Sequence, residues 1–164
     1  MRIVWRNMWA SSTAYDNARI GLNVRLDTLQ AAILLAKLDI FPEEIERRQE
    51  VAQRYSDLLS VEGDELAAPL VPENCKSAWA QYSVMAKSEE HRAGLQSRLK
   101  DGGIPTAIYY PKPLHLQTAF LGLGYKPGDF PVSEDCAKRI FSLPMHPYLG
   151  EKDQKKIAEV MIEE

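Results

Sequence analysis

Residues 79–103 read WAQYSVMAKSEEHRAGLQSRLKDGG, and the two halves of this stretch have different characters. WAQYSVMAK (79–87) mixes aromatic, β-branched and small polar residues without a breaker, which predicts a strand. Ser88 then opens a helix: Glu89 and Glu90 fall in its first turn, Leu95 and Leu99 supply an apolar face, and Gly102 with Gly103 stops it. A strand handing over directly to a helix implies an α/β fold.

Upstream, Asp27 followed three residues later by Gln30 has the form of a capping box, so a helix starts near Thr28. Over 28–40 it is apolar on nearly every side (Leu29, Ile33, Leu34, Leu35, Leu38), which predicts burial all round, partly by another subunit. Pro42, Glu43 and Glu44 suit the first turn of a second helix, and Ile45, Arg48, Ala52, Tyr55 and Leu59 mark one face of it. Residues 63–76, with Pro69 and Pro72, read as a crossing loop, and residues 1–27 as an irregular arm.

Downstream, 106–110 is a short β-favouring run, and the breaker-rich stretch 111–131 is a structured loop with one helical piece at 114–120. Ser133 is the expected N-cap of a helix to Arg139, 140–143 a short strand, and 151–162 a last amphipathic helix. The expected architecture is an arm (1–27) followed by one α/β domain (28–164), a small, mainly antiparallel sheet packed with helices.

Composition narrows the function classes. Twenty Lys and Arg against twenty-three Asp and Glu leave a net charge of -3, which disfavours nucleic acid as a partner. The longest apolar run, 31–36, is far short of a membrane span, and 1–10 carries Arg2 and Arg6 where an export signal would be apolar. Cys75 and Cys136 stand alone, fitting reduced thiols in a cytosol. With three histidines and two cysteines in no ligand-like spacing, no metal site is expected. Gly122-Leu123-Gly124 lacks the third glycine and the preceding strand of a dinucleotide fingerprint and is read as a turn.

Some residues invite a sharper reading. Asn23 and Arg25 precede a helix N-terminus, where free amides and the helix dipole favour anions, although a turn residue and a surface charge would look the same. His115, flanked by Pro113, Leu114 and Leu116, could meet a sugar hydroxyl or a phosphate, since imidazole both donates and accepts; a lone loop histidine is also commonly structural. Tyr109 and Tyr110 could stack or hydrogen-bond beside it. His91 and His146 are read as solvated and structural respectively.

Three ordered blocks carry a resemblance: Tyr15-Asp16 with Gly21-Leu22-Asn23-Val24-Arg25-Leu26-Asp27; Gly103-Ile104-Pro105-Thr106 leading to Tyr110-Pro111-Lys112-Pro113-Leu114-His115-Leu116-Gln117; and Phe130-Pro131-Val132-Ser133-Glu134 with Ser142-Leu143-Pro144-Met145-His146-Pro147. In this order they resemble the C-terminal part of aminotransferases of the DegT/DnrJ/EryC1/StrS family, which use pyridoxal phosphate (PLP). The resemblance implies the small C-terminal domain of a fold-type I PLP enzyme and amino transfer from glutamate to a nucleotide-linked keto sugar. It implies that Asn23, with Arg25, contacts the cofactor phosphate of a neighbouring subunit, and that His115 stands at the rim of the substrate pocket across a dimer interface, with Tyr110 as a further substrate-binding residue.

In the family the lysine that holds PLP and the acid facing its ring nitrogen lie upstream of the first block. None of the ten lysines here has that context, so no catalytic residue is assigned and no PLP is expected on this chain alone. The alternatives are a non-catalytic dimerisation or binding module, and a subunit that completes a site with a separate large-domain chain.

Overall fold

The computed structural model describes residues 26–60 and 66–162. The first helix, α1 (Thr28–Leu38), is capped by Asp27, whose Oδ1 accepts from the Leu29 amide at 2.9 Å. Its expected burial is not found. No α1 residue is buried, and Leu29, Ile33, Leu35 and Leu38 are 76%, 60%, 68% and 58% exposed. Helix α1 packs on α2, and every α1 residue except Ala31 is exposed.

Pro42 and the acidic pair Glu43 and Glu44 open α2 (Phe41–Leu59), as their preference for a helix start requires. Val51, Ala52, Tyr55 and Leu59 are buried, while Ile45 and Arg48 on the same predicted face are half-buried. Three strands follow in the order β1 (Leu66–Ala67), β2 (Tyr82–Ala86) and β3 (Ile140–Leu143), all antiparallel. Tyr82 faces Leu143 and Val84 faces Phe141 across the sheet. The period of two along β2 puts Tyr82, Val84 and Ala86 inside. Their face is covered by helices, with α3 (Glu89–Asp101) and α4 (Pro131–Arg139) against β2 and α5 (Glu151–Ile162) against α2 and α3. One core results, in which Tyr55, Tyr82, Phe141, Leu95 and Leu99 are fully buried. Each such side chain contributes about 2 kcal/mol of burial.

Ser88 caps α3 as expected, accepting from the His91 amide at 3.1 Å. His91 itself is half-buried rather than solvated. Two other expectations fail locally. The predicted run 106–110 forms no strand; only Ala107 bridges Ser142, because Pro105, Pro111 and Pro113 have no amide to extend the ladder. Helix α4 begins at Pro131, two residues before the expected cap Ser133, because proline at the first turn starts a helix without a side-chain cap. The helical piece near 114–120 is two 3-10 turns, Leu114–Leu116 and Thr118–Leu123.

Candidate active-site cleft

The segment between Ala107 and Pro131 is held as an ordered loop by its own short turns. Where it passes α4 it leaves a cleft of about 520 Å³, lined among others by Tyr109, Tyr110, Lys112, Leu114, Ser133 and Cys136. The rings of Tyr109 and Tyr110 meet edge-on with centroids 6.1 Å apart, and the two residues are 37% and 52% exposed. Tyr110, expected among the substrate-binding residues, lines this cleft. Aromatic faces, a lysine and a hydroxyl offer such a cleft stacking, charge and hydrogen bonding together.

His115 is set back from this cleft. It does not line the cleft and is only 8% exposed. Its ring packs on Phe130 with centroids 4.7 Å apart, and Phe130 in turn meets Tyr125 at 5.1 Å. Its Nε2 lies 3.1 Å from Oε1 of Glu134, in the first turn of α4. The same carboxylate accepts from the Gly128 amide at 2.8 and 3.0 Å and from the Phe130 amide at 3.4 Å. The Gly128 amide above all, with Phe130 and His115 adding to it against the cost of desolvation, holds the Glu134 carboxyl below its ordinary pKa. Glu134 is thus an ionised hub that ties His115 and the 128–130 turn to α4. Sequence reasoning quoted it only as part of a block, because nineteen residues separate it from His115 and no local spacing signals the pair.

Asn23 and Arg25, the expected cofactor-phosphate residues, lie outside the described residues. The lysines do lie within them. Nine of the ten are exposed, and Lys112, at the cleft, is half-buried. A lysine that forms an imine with PLP works from a desolvated pocket that lowers its pKa. The described residues supply no buried lysine, so by themselves they do not fit the cofactor. Among the same residues no group of three or more His, Cys, Asp or Glu is gathered closely enough to hold a metal ion. No helix among them is long and apolar enough to cross a membrane.

A small antiparallel sheet covered on one face by helices, with an ordered loop beside α4, is the architecture found in a set of PLP aminotransferases. The model of the DegT/DnrJ/EryC1/StrS aminotransferase family matches residues 3–162, and the chain belongs to that family. A solved DegT/DnrJ/EryC1/StrS aminotransferase from Brucella abortus superposes with a TM-score of 0.74 at 50% identity, over 93% of this chain and 39% of that one. DesV of S. venezuelae, solved with a ketimine intermediate, superposes with a TM-score of 0.76 at 29% identity, over 93% of this chain and 40% of that one. In sequence the chain is 43% identical over 147 residues to the UDP-2-acetamido-2-deoxy-3-oxo-D-glucuronate aminotransferase of Pseudomonas aeruginosa, covering 90% of this chain and 39% of the relative. The chain therefore spans about two fifths of the length of these relatives.

Proposed function

We propose that the chain is the C-terminal part of a PLP-dependent aminotransferase that moves an amino group from glutamate to a keto sugar carried on a nucleotide. The observation that carries this reading is the family match over 3–162, together with named relatives that act on UDP- and dTDP-linked sugars. In this reading Asn23 and Arg25 reach the cofactor phosphate of a neighbouring subunit, and Tyr110 and His115 belong to the substrate pocket. The protein works in the cytosol as a dimer. The exposed lysines support the further statement that this chain alone does not transaminate, and that the imine-forming lysine is supplied from outside it.

The test is to add PLP to the purified chain, reduce with borohydride and weigh the intact protein. The expected result is no stable, site-specific adduct. A single modified lysine would show that one of the ten serves the cofactor and would sink that statement.

A second reading, a subunit that completes its surface and its site by association, is favoured by the uncovered apolar side of α1. Co-purification with a chain bearing the lysine distinguishes it from a plain homodimer.

A further inference from the structure

The Glu134 hub has a chemical consequence for His115. A carboxylate accepts hydrogen bonds and has no proton to give, and Glu134 already receives the amides of Gly128 and Phe130. The 3.1 Å contact with His115 is a hydrogen bond only when Nε2 carries the proton. In the neutral ring Nδ1 is then a bare acceptor, and a ring turned by 180° would set a carbon against Glu134 and lose the hydrogen bond. Second-layer carboxylates fix the proton position of working histidines in this way elsewhere in protein chemistry.

We propose that Glu134 is a positioning residue that locks His115 in the Nε2–H form, so that His115 offers a ligand one acceptor atom, Nδ1, suited to a sugar hydroxyl and not to a phosphate. The last clause rests on the substrate reading above; the proton position does not. The arrangement also ties that selectivity to the 128–130 turn, since the Glu134 carboxylate holds both.

Long-range proton–nitrogen NMR of the imidazoles in the intact chain tests the proposal, with His115 assigned by its loss in His115→Gln. In the unsubstituted chain above the histidine pKa, His115 should show a protonated Nε2 and a bare Nδ1. Glu134→Gln keeps an acceptor for the two amides and should give a mixture of both forms with an unchanged circular dichroism spectrum. Glu134→Asp should restore part of the single form. A proton on Nδ1 in the unsubstituted chain, or an unaltered single form in Glu134→Gln and Glu134→Ala alike, overturns the role of Glu134. A UDP-sugar should then shift the Nδ1 resonance while UDP alone should not. An equal shift with UDP overturns the hydroxyl assignment in favour of phosphate. Binding of neither overturns the substrate reading and the ligand clause with it, whereas the proton position is decided by the spectra without ligand.

Discussion

Gln154 on α5 donates its Nε2–H to the carbonyl of Val51 on α2 at 2.9 Å, and neither side chain meets solvent to more than a trace. The other end of the amide accepts from Nε of Arg54 at 2.6 Å, and Arg54 reaches on to the Leu149 carbonyl at 3.0 Å. A buried amide with both ends satisfied is the polar fastening between the last helix and the second. Gln154→Ala removes it and leaves a void, so it should lower stability by about 2–3 kcal/mol. In urea this appears as a lower midpoint with an unchanged slope. A midpoint within error of the parent would mean that α5 is held by its apolar contacts alone.

Gly94 and Gly103 give a matched pair. An added Cβ meets nothing within 4 Å at either position, so any effect is conformational. Gly94 sits inside α3, where alanine restricts the unfolded chain and favours helix; Gly94→Ala should stabilise by about 0.5–1 kcal/mol. Gly103 has φ of 74° and ends α3 with two bonds, its own amide to the Lys100 carbonyl and the Ile104 amide to the Leu99 carbonyl. This is a Schellman ending, in which the left-handed residue is the hinge. Gly103→Ala should destabilise by about 1–2 kcal/mol. Thermal melts of the two variants should move in opposite directions.

The alkaline flank of stability should be set by Tyr55. Burial first, and then the neighbouring Tyr82 and Asp153, push its hydroxyl well above the usual tyrosine range. The folded chain thus keeps a proton that the unfolded chain releases near pH ~10. This contribution is fully present below that pH and is lost as pH rises through the folded value. Tyr55→Phe should cost about 1 kcal/mol at neutral pH, through the lost 3.0 Å bond to the Pro144 carbonyl, and should flatten the decline above pH ~10. The acid flank runs the other way. Glu134, Asp135 and Glu151 have lowered pKa values, so their contributions are present above the ordinary carboxylate range and fade as pH falls through it. Melting temperature against pH for the parent and Tyr55→Phe decides the first statement, and the same scan on Glu134→Gln, with a shallower acid fall, decides the second.

Much of this fold is written in short-range signals. The strand Ile140–Leu143 and the helix Glu151–Ile162 end where periodicity and composition place them, and Ser88 with Gly102 and Gly103 bounds α3 correctly. The two-residue strand Leu66–Ala67 escapes notice because nothing that short has a period; it exists only by pairing with Met85 and Ala86. The site is less legible. Tyr110 lines the cleft, but the Glu134 hub joins residues distant in sequence, and its bonds to backbone amides leave no mark on residue type.

Helix α1 marks the place where composition and structure diverge, and it yields the last prediction. An all-apolar helix reads as buried, yet among the described residues Leu26, Leu29, Ile33, Leu34, Leu35 and Leu38 are all at least half exposed. Exposed apolar residues gathered along one helix in this way are the mark of an association surface. If a second copy covers it, as the dimer reading requires, Leu29→Lys combined with Ile33→Lys should shift sedimentation toward monomer. The unfolding midpoint of the dilute chain should then change by no more than about 0.5 kcal/mol, because exposed positions carry little folding energy. If the pair instead costs several kcal/mol at every concentration, α1 is covered within its own chain, and the interface must be sought on another face.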